Sequence, residues 1–287
     1  MLPSTMERVD EFVHDGQRLV YTEFGVGDRP VVLLPGLLLP RTMHYPLARA
    51  LAERGNRVIC LDPLGHGDSD RPSDMWRYSM PLFGVQVVAL LDHLELREAV
   101  VGGTSLGANI TLEVAVAAPR RLRGAVIEMP VLDNALVGCA IAFAPLLVGL
   151  TLGRPAARLL AAAARRIPRG VHWLGDVGLD SMSQDPGPSG AVLQGLFFGR
   201  TAPPRSERTD IETPSLVIGH SRDPVHPFSD ADMLVHELRR GNLVQANSIL
   251  ELRLTPERLT EEIARFVDDC WRSKAASTRR AARSRAV

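Results

Sequence analysis

Apolar residues along the chain fall into short unbroken runs that alternate with longer stretches of helical periodicity. Unbroken runs are typical of strands covered on both faces, and they lie at Pro30–Leu34, Arg57–Leu61, the segment before Ser105, Arg123–Met129 and Ser215–Gly219. The periodic stretches predict helices over 43–54, 80–96 and from Ser105 to about Ala118. Such alternation implies parallel strands with right-handed crossovers and helices on both faces of one sheet, an α/β fold.

Three further segments add detail to this pattern: a hairpin near the start of the chain, the second helix and the last helix. Glu11–His14 and Arg18–Thr22 flank Asp15-Gly16, a dipeptide that tolerates the positive φ angles of a tight hairpin. The second predicted helix has an apolar face that is expected to pack on the sheet, formed by Leu82, Val85, Val88, Leu91 and Leu94. Thr255-Pro256-Glu257 begins a last helix, with Ile263 and Phe266 facing inward.

The alternation breaks at residues 134–205, where several helical pieces occur without strand-like patterning. Ala135–Gly153 carries no charge and is long enough to cross a bilayer. Pro145 and three glycines interrupt it, and a single span would place the flanking strands on opposite sides of a membrane. We therefore favour an apolar helical layer, with shallow membrane contact left open.

Four large apolar side chains of this insertion have two alternative roles. They either line a pocket for an apolar substrate or form the small core of the insertion itself, and they are Trp173, Leu196, Phe197 and Phe198.

Length and composition allow one large core. The chain has 287 residues, of which 45% are hydrophobic, which is typical of a single domain with an insertion. The predicted organisation is a core formed by 1–133 and 206–271, a helical cap at 134–205 and a basic disordered tail at 272–287.

Charge is unevenly distributed along a chain of formal net charge zero. Six cations and no acid follow Trp271, so residues 1–271 carry a net charge of −6. This excludes a nucleic-acid-binding surface on the body of the protein. The tail is most simply a solubilising end, although its cations suit contact with acidic lipid or polymer.

Cysteine usage and the amino-terminal residues bear on the compartment. Three scattered cysteines, Cys60, Cys139 and Cys270, predict neither a disulfide framework nor a metal site, and an odd number suits a reducing compartment. Acidic residues precede any apolar run, unlike a secretory signal peptide. We therefore expect a cytoplasmic protein without a cofactor or metal, since no dinucleotide fingerprint follows the first strand. The sequence pattern does not indicate whether the protein is a monomer or an oligomer.

The segment Gly103-Thr104-Ser105-Leu106-Gly107 fits G-x-S-x-G at a predicted strand–helix turn. In such a turn the serine hydroxyl is exposed on a strained backbone, and the glycines let strand and helix approach closely. The N–H of Leu106 at the helix start is then free to face a developing oxyanion. The alternative is an incidental serine in a glycine-rich turn.

Three further segments decide between these interpretations. They are Leu33-Leu34-Pro35-Gly36, the stretch from Arg57 to Pro72 that contains Gly65-His66-Gly67, and Pro214–His220 leading into Asp223. Together with the serine motif they resemble cap-bearing, single-domain members of the α/β-hydrolase superfamily over most of residues 10–270. The resemblance implies a mostly parallel eight-stranded sheet with a helical cap.

The resemblance also implies roles for particular residues. Ser105 is the expected nucleophile, Asp223 the acid of a triad, and the N–H groups of Leu37 and Leu106 the oxyanion hole. Pro35 stands where family members often have histidine, but the donor N–H of Leu37 is unaffected. His66 is expected to pack and hydrogen-bond its loop rather than take part in catalysis.

The base histidine of the family is missing from its usual place after the last strand. Asn247 or Ser248 occupies that position, and neither can act as a general base near neutral pH. His226, three residues after the acid, is the candidate substitute, and His44 is a weaker one. The second ring nitrogen of His226 would be oriented by Asp223 or by another carboxylate such as Glu128 or Asp133.

Two functions follow from this pattern. The first is a serine hydrolase that cleaves an ester or thioester of a mainly apolar acyl substrate. The alternative is a catalytically weakened or non-hydrolytic relative that acts as a binding or regulatory protein or as a lyase. A nucleophilic aspartate, as in the haloalkane dehalogenases and epoxide hydrolases of this fold, is excluded by Ser105.

Overall fold

A computed structural model describes residues 7–284 of the chain, with side chains up to Arg272. Eight strands form one sheet in the order β1-β2-β4-β3-β5-β6-β7-β8. They are β1 (Glu7–His14), β2 (Gln17–Phe24), β3 (Pro30–Leu34), β4 (Arg57–Leu61), β5 (Ala99–Thr104), β6 (Leu122–Glu128), β7 (Ser215–His220) and β8 (Gly241–Ala246). The predicted mostly parallel eight-stranded sheet is confirmed: only the β1–β2 and β2–β4 pairings are antiparallel, so β2 alone runs against the other strands of this sheet.

Helices cover both faces of the sheet, as predicted. They are α1 (Tyr45–Glu53), α2 (Met80–His93), α3 (Leu106–Ala117), α4 (Leu136–Thr151), α5 (Arg154–Arg166), α6 (Trp173–Met182), α7 (Pro186–Phe198), α8 (Arg205–Arg208), α9 (Phe228–Glu237), α10 (Glu251–Leu254) and α11 (Glu257–Ser284). One core unites α2, α3 and α9 with the sheet, and a second core, on α1 and α11, includes Ile263 and Phe266.

The β1–β2 hairpin forms where the Asp15-Gly16 dipeptide predicts it. Asp15 and Gly16 have φ angles of 49° and 71°, and His14 pairs with Gln17 across the turn. Positive φ at both central residues matches the right-handed twist of the flanking strands.

The predicted buried face of α2 is wrong in part. Leu82 and Val85 are 42% and 48% exposed, whereas Phe83, Val87 and Leu90 are buried. The helix is apolar around most of its circumference, and Gln86 lies on the buried face, where its Oε1 accepts the Leu64 N–H at 3.0 Å. Because Gln86 is polar but buried, the spacing of apolar residues does not predict which face of α2 is buried.

Helices α4 to α7 occupy the insertion between β6 and β7, and we call these four helices the cap. Asp230 of α9 fixes the entry to the cap, because its buried carboxylate accepts the N–H groups of Leu132, Asn134 and Ala135 at 2.7–3.1 Å. The uncharged helix α4 has no buried residue.

Across residues 7–284, none of the individual helices combines the length and apolarity needed to cross a membrane. Helices α4 and α5 meet these criteria only when taken as a pair, and they are bent by 96° relative to each other.

The structure differs from the sequence-based expectation at the carboxyl end. Helix α11 continues to Ser284, through most of the segment predicted as a disordered tail. Alanine and arginine, which are frequent there, are strong helix formers, so the helix propagates beyond its packed part. Residues 285–287 lie outside the described part of the chain.

Candidate active site

Ser105 sits on a strained turn between β5 and α3. Its φ angle is 54°, which is unusual for a non-glycine residue. Two glycines permit the turn: a Cβ on Gly103 would lie 2.6 Å from the Leu34 carbonyl oxygen, and one on Gly107 would lie 2.2 Å from the same atom. The G-x-S-x-G spacing therefore reflects close passage of β3 beneath this turn.

His226 and Asp223 lie next to Ser105 in one hydrogen-bonded row. Ser105 Oγ is 2.8 Å from His226 Nε2, and His226 Nδ1 is 2.8 Å from Asp223 Oδ2. An ionised carboxylate only accepts hydrogen bonds, so the Nδ1 atom carries the proton and Nε2 accepts the serine hydroxyl. These are the distances that a relocated base requires.

Asp223 uses both carboxylate oxygens. Its Oδ1 accepts the N–H groups of Val225 and His226 at 2.8 and 3.0 Å, while Oδ2 faces the imidazole. Burial raises the pKa of Asp223, but the hydrogen bonds from His226 and Val225 outweigh it and lower that pKa to about 2. The carboxylate is therefore ionised at neutral pH.

The predicted oxyanion donors, Leu37 and Leu106, line the same pocket as Ser105. Leu106 is the first residue of α3, so its N–H has no helical carbonyl one turn earlier to bond. Leu37 lies in a turn closed by a 3.0 Å bond from the Leu39 N–H to the Gly36 carbonyl, with Leu38 at a φ of 57°.

The other histidines and polar residues considered from sequence are held elsewhere. His44 is buried and donates from Nε2 to the Leu34 carbonyl at 2.8 Å, and burial, followed by the charge of Arg253, lowers its pKa to about 4. His66 is buried edge-on to Phe83 and donates to the Leu64 carbonyl, as expected of a residue that holds its loop.

The loop after β8, where the family places its base, is closed by other contacts. The Asn247 N–H donates to Glu251, and the Ser248 carbonyl accepts from His220 Nδ1 at 2.9 Å. The carboxylates weighed as alternatives to Asp223 are also committed elsewhere: Asp133 lies 3.5 Å from Arg208, and Glu128 bonds Arg253.

Glu128 is the centre of a buried polar network beneath the serine turn. Arg253 donates to Glu128 Oε2 at 2.9 Å and to Thr104 Oγ1 at 2.8 Å, and His220 Nε2 lies 3.6 Å from Glu128 Oε1. Burial raises the pKa of Glu128, but Arg253, His220 and Thr104 together hold it well below its usual range. The Glu128 carbonyl also accepts the Ser105 N–H at 2.8 Å, so this network supports the serine.

A largely apolar pocket of about 260 Å³ opens at Ser105. Its polar lining residues are Ser105, Asn109, Cys139 and Thr201, and one face of α4 forms much of its wall. Leu196 and Phe197 line the pocket, which is the first of the two roles considered from the sequence. Phe198 is exposed and Trp173 stacks on His172, so these two aromatics lie outside the pocket wall.

Sequence reasoning missed two contacts that join the cap to the site. Ser181 of α6 donates to the Leu38 carbonyl at 2.8 Å. Gly138 lets helix α4 pass close to the loop that carries Asp223, because a Cβ on Gly138 would lie 2.9 Å from the Pro224 carbonyl oxygen. Both contacts join residues that are far apart in the chain. Only Gly138, a glycine within an uncharged helix, gave any local indication of a close contact.

No group of three or more His, Cys, Asp or Glu in the described part of the chain is arranged to hold a metal ion. Asn109 of the pocket wall donates from Nδ2 to the carbonyls of Val131 and Thr201 at 2.8 and 2.7 Å, and most of the wall is hydrocarbon.

Comparison with known proteins supports the fold that carries this site. A family model described as the alpha/beta hydrolase fold matches residues 29–145. The 3-oxoadipate enol-lactonase 2 of Acinetobacter baylyi is 31% identical over 109 residues, which are 38% of this chain and 40% of that protein. A non-heme chloroperoxidase of Streptomyces lividans is 35% identical over 115 residues, 39% of this chain and 41% of that protein. The matches thus span about two fifths of these relatives.

Solved structures match over far more of the chain. A hydrolase from Pseudomonas aeruginosa is 23% identical, with a TM-score of 0.71 over 90% of this chain and 98% of that one. The enol-lactonase of Burkholderia xenovorans is 20% identical, with a TM-score of 0.73 over 90% of this chain and all of that one. At these identities the likeness establishes the fold. The sheet order, the strained serine turn and these matches together show that the chain has the α/β-hydrolase fold, which the family model matches over residues 29–145.

Proposed function

We propose that the protein is a serine hydrolase that cleaves esters or thioesters of a mainly apolar acyl group. The comparisons support a hydrolase in general, because relatives such as the enol-lactonase carry hydrolase names. The observation that carries the finer proposal is the row from Ser105 through His226 to Asp223, which ends in an apolar pocket.

In the proposed reaction Ser105 Oγ attacks the acyl carbonyl carbon while its proton passes to His226 Nε2. Asp223 stabilises the imidazolium that forms and keeps its ring oriented. The bond from the carbonyl carbon to the leaving oxygen or sulfur then breaks, and His226 gives its proton to the leaving group. Water attacks the acyl-serine, gives a proton to His226, and the proton returns to Ser105 as the acid departs.

The oxyanion of each tetrahedral intermediate would accept the N–H groups of Leu37 and Leu106. Such donors act at fixed positions in a site poor in water, and losing one typically costs about 10²–10³-fold in rate. The turn at Leu38 and the start of α3 hold these donors in place before substrate arrives.

Cys139 is a second potential nucleophile in the pocket wall, but its surroundings argue against that role. Burial raises the pKa of its thiol to about 11, so the reactive thiolate is scarce at neutral pH. Ser105, in contrast, contacts a base directly.

The test uses a fluorophosphonate probe and p-nitrophenyl esters of short and long acyl chains. We expect labelling and turnover in the natural protein and in Ser206→Ala, a control at an exposed serine of α8. Ser105→Ala should lose both. Absence of labelling and turnover in the natural protein would favour the binding or regulatory alternative instead.

A further inference from the structure

Helix α4 is apolar on two separate faces. Leu136, Cys139, Ala140, Phe143 and Leu147 line the pocket at Ser105. A second set recurs at helical spacing on another face and points to solvent: Val137, Ile141, Val148 and Leu152, with exposures of 72%, 72%, 54% and 83%. We call this second set the outward stripe; it extends about 22 Å at 1.5 Å per residue.

The pocket explains only the first face. A helix that is hydrophobic all round is normally buried, yet no residue of α4 is buried. A contiguous apolar surface of this kind on a soluble protein usually marks an interaction site.

The charges that follow the outward stripe indicate what it contacts. Between Asp133 and Asp176 the chain has no acidic residue and five arginines. Arg169 pairs with Asp180 at 2.9 Å and Arg165 donates to the Ser183 carbonyl. Within the part of the chain with described side chains, no ion pair is formed by Arg154, Arg158 or Arg166, and all three are exposed.

The position of Arg154 is not explained by the stability of its helix. It is the first residue of α5, two positions after Leu152 of the outward stripe, and a cation at a helix amino-terminus opposes the helix dipole. An apolar stripe that ends in unpaired cations matches a membrane interface, where acyl chains meet anionic headgroups.

We propose that the outward stripe, with Arg154 and Arg158, docks the protein on an anionic lipid surface. A second copy of the chain fits this surface poorly, because a two-fold contact brings the same surface of each copy together and residues 134–175 supply arginines but no carboxylate to pair with them. Docking would place the apolar pocket, which is lined by the same helix, beside the bilayer. The proposal concerns surface binding and stands whether or not Ser105 is catalytic.

The test is flotation of the full chain with phosphatidylcholine vesicles that contain or lack phosphatidylglycerol. We expect binding to the anionic vesicles and much weaker binding to the neutral ones. Val137→Ser/Ile141→Ser and Arg154→Gln/Arg158→Gln should each weaken binding by at least about tenfold. Salt should screen the contribution of the two arginines but not that of Val137 and Ile141.

Two double variants away from the cap serve as matched controls. Val13→Ser/Val26→Ser changes exposed apolar residues of β1 and the loop before β3, and Arg97→Gln/Arg120→Gln changes exposed arginines. Both should bind as the natural chain does.

Three results would overturn the proposal. One is no binding to anionic vesicles. Another is equal binding by all variants. Every variant retains the six cations after residue 271, so equal binding would mean that residues 272–287 bind the vesicles instead of the outward stripe. The third is self-association of the natural chain that Val137→Ser/Ile141→Ser abolishes without any vesicle binding, which would make the stripe a contact between copies.

Discussion

Asp223 combines a turn-forming role and an orienting role in one carboxylate. Oδ1 accepts the N–H groups of Val225 and His226 and so closes the turn, while Oδ2 faces the imidazole of His226. The turn shapes the three residues after Asp223 so that the His226 ring meets the second oxygen. This explains how a histidine can lie so close in sequence to the carboxylate that orients it.

Asp223→Asn should separate these roles. The amide oxygen can still accept the turn N–H groups, but the amide NH₂ would face His226 Nδ1 and favour the tautomer protonated at Nε2, which cannot accept the serine proton. We expect kcat for ester hydrolysis to fall by about 10³–10⁴-fold, with a nearly unchanged thermal midpoint. A loss of less than tenfold would show that Asp223 does not orient the base.

His220 provides a pH-dependent test of the network beneath the serine. Burial lowers the pKa of His220, but Glu128 outweighs it and the pKa is raised overall. A raised folded-state pKa gives stability that is fully present below the unfolded value of about 6.5 and is lost as pH rises through the folded value. Glu128 stays ionised throughout this range, because its own pKa is lowered.

We therefore expect His220→Gln to reduce the free energy of unfolding more at mildly acidic pH than at mildly alkaline pH. Urea unfolding of both proteins at the two pH values measures this difference. His14→Gln, at a histidine of β1 outside this network, is the control for the substitution itself. An equal or larger effect of His220→Gln at alkaline pH would contradict the assigned ion pair.

At the scale of elements, the cap contacts the turn that contains Leu37 and Leu38 as well as the pocket. Ser181 of α6 donates to the carbonyl of Leu38, whose positive φ is a strained conformation for leucine. The bond ties the turn that contains Leu37 to the cap. Given the proposed role of the Leu37 N–H in the oxyanion hole, we infer that Ser181 is a positioning residue that acts through the backbone.

Ser181→Ala should lower kcat by about tenfold with little change in KM, because the oxyanion is stabilised mainly in the transition state. Steady-state kinetics on one p-nitrophenyl ester measure both constants, with Ser206→Ala as the matched control. Unchanged kcat, or a change confined to KM, would assign Ser181 to cap packing alone.

At the scale of the whole molecule, sequence predicts most of the sheet but not how the helices face it. Strands such as β3 and β4 have the predicted bounds, because unbroken apolar runs bounded by turn residues leave little choice. Helix α2 shows the limit: apolar residues surround it, and its buried face is set by tertiary partners of Phe83 and Gln86 that periodicity does not contain.

The site divides in the same way. Ser105 and Asp223 are predicted from segments that resemble those of the family, since the serine motif alone also allows an incidental serine. The choice between His226 and His44 required three-dimensional distances, because both lie in plausible loops. The Ser181 contact spans 143 residues, and nothing in the local pattern around either partner encodes it.

The most direct test of the relocated base is the effect of His226→Ala on kcat/KM for an ester that the natural protein turns over. We predict a loss of at least about 10³-fold, comparable to that of Ser105→Ala, while His236→Ala retains full activity. If His226→Ala keeps full activity while Ser105→Ala loses it, the proton acceptor is another group and the proposed role of His226 is wrong.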